Sequence, residues 1–74
     1  MIVDIKSWQW HYRIDESNGI VWSVTTSAPD KKGRTEETLM RFKGFETIEE
    51  AYEYISIVTN VNIDELKKMS RKIS

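Results

Sequence analysis

The chain reads as an α+β domain in two layers. An antiparallel three-stranded sheet packs on one long helix, and a short C-terminal helix follows (β-β-β-α-α). Three observations predict this. Between residues 8 and 43, polar and apolar side chains alternate in runs separated by turn residues, the period of half-buried strands. From Thr47 onward the apolar residues recur at the spacing of an amphipathic helix. The whole chain, residues 1–74, is the length of one small domain, so the two halves must share one core.

The first strand is expected around Trp8–Ile14. There Trp8, Trp10, Tyr12 and Ile14 share one face, and Gln9, His11 and Arg13 share the other. Asp15–Gly19 follows, and Asn18-Gly19 supplies residues that tolerate positive φ, so a hairpin turn is expected. The β-branched run Ile20–Thr26 predicts the second strand. Ser27–Gly33 is polar and punctuated by Pro29 and Gly33, hence a loop. A third strand is expected over Thr35–Lys43, with Thr38, Met40 and Phe42 on one face and Leu39, Arg41 and Lys43 on the other. Met1–Lys6 is the candidate for a fourth, leading strand.

Helix signals open at Thr47, whose hydroxyl can accept from the amide of Glu50 in a capping box. Ile48, Ala51, Tyr52, Ile55 and Val58 form the stripe expected to cover the Trp8/Trp10/Tyr12 side of the sheet. Asn62 reads as a second N-cap, with Asp64 and Glu65 suited to the positive end of the helix dipole. Ile63, Leu66, Met69, Ser70 and Ile73 would be the inner face of that second helix. Tyr54, Ile57 and Val61 lie off the first helix's main stripe. They need either the second helix, through Leu66, Met69 and Ile73, or a second chain.

Composition removes several classes of chemistry. The chain has no cysteine and one histidine, which excludes disulfide scaffolds, thiol chemistry and cysteine-ligated metals. No apolar run approaches the roughly 18 residues of a membrane span, and no apolar leader is evident. A cytoplasmic protein is therefore expected. Stability has to come from bulk, because a domain this small buries only about 60–65% of its unfolded surface. Three Trp, three Tyr and two Phe provide it. Each aromatic buries about 150–250 Å², worth several kcal/mol at about 25 cal/mol per Å².

No catalytic constellation stands out. His11 is expected to be partly exposed, with no orienting carboxylate indicated by spacing. Glu36 and Glu37 are adjacent on a strand and point to opposite faces, so they cannot share an ion. The glycines are scattered at turns, not gathered into a phosphate loop. No metal, no cofactor and no enzymatic activity are expected.

Charge is more informative. Eleven Lys and Arg oppose twelve Asp and Glu, a formal net charge of −1, which does not suggest a strong electrostatic nucleic-acid binder. Yet His11, Arg13, Arg41 and Lys43 fall on one strand face, beside Lys31, Lys32 and Arg34 in the loop. A sheet face of this kind can track phosphates or enter a major groove, or it can be an ordinary solvated face.

Two family resemblances accompany these residues. Trp8-x-Trp10, Arg13-Ile14, Asn18-Gly19, Ser23, then Gly44-Phe45 and Ala51 resemble the repeat of the YegP-like bacterial proteins, with Thr26–Lys43 inserted. That resemblance implies a sheet-plus-helix unit that dimerises, and it assigns no chemistry. Trp10-x-Tyr12-Arg13, Lys31-Lys32-Gly33-Arg34 and Lys43-Gly44-Phe45-x-Thr47-x-x-Glu50-Ala51 resemble the arm-type DNA-binding domain of phage and transposon integrases. This second resemblance implies a three-stranded sheet whose face enters the DNA major groove. The slightly acidic charge and the pair Glu36-Glu37 depart from that pattern.

The expectation from sequence is thus a non-enzymatic interaction module. It would act as a homodimer or as a cap on a partner protein, in a role that suits a phage or mobile-element accessory protein. Sheet-mediated DNA binding is the alternative.

Overall fold

A computed structural model describes residues 1–74. The elements run β1 (Ile2–Lys6), β2 (His11–Asp15), β3 (Ile20–Thr26), β4 (Glu37–Gly44), α1 (Ile48–Thr59), α2 (Ile63–Met69) and β5 (Ser70–Lys72). The strands form one antiparallel five-stranded sheet in the order β4-β3-β2-β1-β5. The three-stranded sheet on one long helix expected from sequence is therefore corrected. The sheet is wider at both sequence ends, and both helices are short. The α+β character stands.

Each added strand has a physical reason. β1 forms because Val3 and Ile5 pair with Ile14 and Tyr12 on one face, while Asp4 pairs with Arg13 on the other. Asp is a poor strand former in isolation. Here its carboxylate meets a guanidinium directly across the ladder. β5 forms because α2 ends early. Ser70 leaves the helix with φ −66 and ψ 136, and the chain then runs along the free edge of β1. Ile73 consequently lies beyond any helix and is half-exposed.

The start of β2 is corrected too. Trp8 is not in a strand and is not under a helix. It sits at the tip of the β1–β2 connection and is 91% exposed. Ser7 makes this turn: its Oγ accepts from the amides of Gln9 and Trp10, and its own amide donates to Trp10 O at 2.8 Å. A local Ser turn of this kind competes with strand pairing. Trp10 is half-buried against Tyr12, with ring centroids 5.8 Å apart.

The core lies between the sheet and the two helices. Val3, Ile5, Tyr12, Ile14 and Val21 face Ala51, Tyr52, Ile55 and Leu66. Both helices begin where their side chains cap them: Thr47 accepts from Glu50 N, and Asn62 from Asp64 N. α1 ends at Asn60, in the left-handed region at φ 60. The Tyr52 hydroxyl pairs with Ser70 Oγ at 2.9 Å, tying α1 to β5. At the β2–β3 turn Gly19 has φ +64, and an added Cβ would come within 2.8 Å of Phe45 O. The same glycine accepts from Phe45 N, so the turn is clamped to the end of β4.

β4 carries a bulge. Val21 pairs with Lys43 but Trp22 pairs with Arg41, so β4 spends an extra residue at Phe42. A bulge bends its strand and increases local twist. Beyond it, every residue from Thr25 to Arg41 is exposed. β3 and β4 therefore extend past the helices as a hairpin arm, and the molecule measures 41 × 24 × 19 Å.

Ile55 is fully buried at the centre of the core. Ile55→Ala is expected to destabilise the fold by about 2–5 kcal/mol, read from the midpoint of urea unfolding.

Candidate functional site

The sheet face away from the helices is the candidate site. Register places Arg71, Asp4, Arg13, Trp22 and Arg41 in one row across all five strands. Three of these five are arginines, yet the face is not a free basic surface. Arg13 donates through Nε to Asp4 Oδ1 at 2.6 Å and through a terminal nitrogen to Asp4 Oδ2 at 3.2 Å. It also reaches Glu37 at 3.2 Å, so one guanidinium bridges β1 and β4. The sequence reads Arg13 as a solvated face residue; the structure leaves its side chain only 16% exposed.

His11 is corrected in the same way. It is 8% exposed, not partly open. Its Nε2 lies 3.1 Å from Asp4 Oδ2. Neither ring nitrogen makes a hydrogen bond of good geometry, so the approach to Asp4 is a close polar contact without direction. Burial of Asp4 pushes its carboxyl up. The hydrogen bonds and charge of Arg13, with the close approach of His11, outweigh that and hold it below the usual carboxylate range. Arg13 is held further up by the same carboxylate.

The twist of the arm explains how Glu37 reaches Arg13 across the intervening strand. It also closes a concavity of about 360 Å³ lined by Asp4, Lys6, His11, Glu37, Met69 and Arg71. The acids in it are engaged or flanked by cations, and no three His, Asp or Glu side chains gather closely enough to hold a metal ion.

The remaining sequence candidates disperse. Lys43 leaves the proposed basic face: the bulge sets it opposite Val21, and its ammonium lies 4.8 Å from the Tyr54 ring centroid on α1. Arg41 stays on the face with Trp22, exposed and outside the ion pairs. Lys31, Lys32 and Arg34 are exposed in the β3–β4 loop. That loop is organised by Asp30, whose carboxylate accepts from the amides of Lys32 and Arg34 and pairs with the Arg34 guanidinium at 3.3 Å. These backbone and side-chain bonds hold the Asp30 carboxyl low.

The helix candidates split. Leu66 is fully buried, and Val61 and Met69 pack at the margin of the core. α2 does not cover Ile57, which is 79% exposed. Tyr54, Ile57 and Val58 instead line a shallow groove of about 210 Å³ with Phe42 and Lys43. Sequence reasoning missed the open edge of β4, because edge position is a property of strand order. The signal available was Leu39-Met40, two apolar residues in a strand that the helices are too short to cover.

No helix is long and apolar enough to cross a membrane. No family model, no curated protein and no solved structure matches this chain. The functional reading therefore rests on the chain's own residues.

Two expectations follow from the Asp4–Arg13 pair. Arg13→Ala leaves a half-buried carboxylate without its main donor. It is expected to cost about 1–3 kcal/mol in urea unfolding, well above the usual surface change of about 0.5 kcal/mol. Because the folded state holds Asp4 below its unfolded value, its contribution is full above the unfolded pKa and is lost as pH falls through the folded one. The acid limb of the stability profile is expected to flatten in Asp4→Asn, as measured by thermal melts between pH 5 and pH 2.

Proposed function

We propose that this chain is a small non-enzymatic interaction module that acts by protein–protein contact through its β3–β4 arm. The observation that carries this reading is the unbroken exposure of the Thr25–Arg41 arm, whose edge strand β4 bears Leu39 and Met40, the latter 70% exposed. An exposed edge with apolar side chains is a template for strand addition. Trp8 at the β1–β2 tip adds a rigid aromatic anchor of the kind that dominates binding energy at interfaces. The bidentate Asp4–Arg13 pair also supports a role outside catalysis, since both groups are committed to each other.

Sheet-mediated DNA contact is the second reading. The exposed Lys31 and Lys32 and the free Arg41 favour it. Less support comes from the face itself, where Arg13 is neutralised and Lys43 is turned to α1.

A photo-reactive residue placed at Met40 or Trp8 separates the two. The expected result is a covalent protein adduct from both positions in cells, with none from Ser17 in the β2–β3 turn. Absence of adducts at both positions, together with a duplex-DNA mobility shift that weakens with salt and is lost in Lys31→Ala/Lys32→Ala, would replace the first reading by the second.

A further inference from the structure

The open edge of β4 has a backbone phase that can be read from its ladder. Ser27 N donates to Glu36 O at 2.8 Å, so the pair Ser27/Glu36 is a hydrogen-bonded pair. Alternation along an antiparallel ladder then turns Thr38 and Met40 toward β3. Glu37 and Leu39 point their N–H and C=O groups away from the sheet, as does Arg41 at the start of the bulge. These residues also share the face away from the helices, through their pairing with Thr26, Val24 and Trp22.

The side chains on this edge are self-complementary. We infer that β4 pairs antiparallel with β4 of a second copy about a two-fold axis at Leu39, joining the two sheets into one. This inference rests on the interaction reading above and names its partner. In that register Leu39 faces its symmetry mate, with their outward N–H and C=O groups exchanged. Glu37 faces Arg41 of the second copy, and by symmetry Arg41 faces Glu37. The acidic residue therefore meets the exposed, unpaired guanidinium at both ends of the contact. Glu37 keeps its bond to Arg13 and is still 46% exposed, so a second donor can approach it. On the opposite face Thr38 meets Met40 of the second copy, which covers the 70% exposed methionine. Two-fold pairing of one strand with itself is closed, so it ends the edge instead of growing a fibre.

The absence of cysteine makes the register directly testable. Paired residues in an antiparallel ladder place their Cα atoms about 4.5–5.5 Å apart, within disulfide range, whereas positions offset along the strand exceed it. Leu39→Cys is expected to give a disulfide-linked dimer under mild oxidation. A mixture of Thr38→Cys and Met40→Cys chains is expected to cross-link to each other faster than either does to itself. The unmodified protein is expected to sediment as a concentration-dependent dimer, and Leu39→Lys as a folded monomer by circular dichroism. Cross-linking at Leu39→Cys no faster than at Lys32→Cys, in a protein that sediments as a monomer at every concentration, would overturn the inference. If the Met40 photo-probe still labels a different protein in that case, the interaction reading survives without self-pairing. If neither it nor the Trp8 probe labels anything, both fall.

Discussion

The ion pair between Asp4 and Arg13 is the constraint on which the sheet depends. β1 lies inside the sheet, with β2 on one side and β5 on the other, so its register sets that of both neighbours. Its side chains divide strictly: Val3 and Ile5 enter the core, and Asp4 faces the opposite way. A slip of one residue would press Asp4 against Ile55 and Leu66 and expose Val3 and Ile5. A carboxylate in an apolar core without a donor is costly. The bidentate contact from Arg13 rewards only the correct register, and Arg71 stands opposite Asp4 on the other neighbour.

That one register carries through to the arm. Arg13 extends from Asp4 to Glu37, so the charge that locates β1 also holds the first residue of β4, at the loop end of the arm. The bulge at Phe42 bends β4 and lets Phe42 pack 5.4 Å from the Tyr12 ring, while Arg41 stays on the open face and Lys43 crosses to Tyr54. One inserted residue thus divides what would have been a basic stripe between two faces. It also separates a packed half of β4 from an exposed half. The exposed half is where the apolar side chains and outward backbone groups coincide, which is why the arm and not the charged concavity supports the functional reading.

Local signals were legible where the physics is local. The Thr47 and Asn62 caps, the Asn18-Gly19 turn and the run Ile20–Thr26 involve neighbours within a few residues, and each appears in the structure at those positions. Period-two alternation at Trp8–Ile14 misled, because Ser7 folds the Trp8 and Gln9 positions into a turn before the strand begins. β5 was invisible: Ser70-Arg71-Lys72 continues a helical pattern in sequence and becomes a strand only because β1 offers it an edge. At the candidate site the residue types were legible, and their partners were not. His11 and Arg13 look like solvated residues until Asp4 and Glu37 arrive from other strands.

By itself the sequence determined a small α+β domain whose first half is strands, a core built from aliphatic and aromatic side chains, and the absence of cysteine. Tertiary structure decided that the sheet has five strands, that β4 is its open edge, and that the arginines of its face are partly neutralised. The reason is range. Caps, turns and periodicity are set by side chains a few positions apart, whereas strand order and charge pairing join residues such as Asp4, Arg13 and Glu37, which meet only once the chain has closed its sheet.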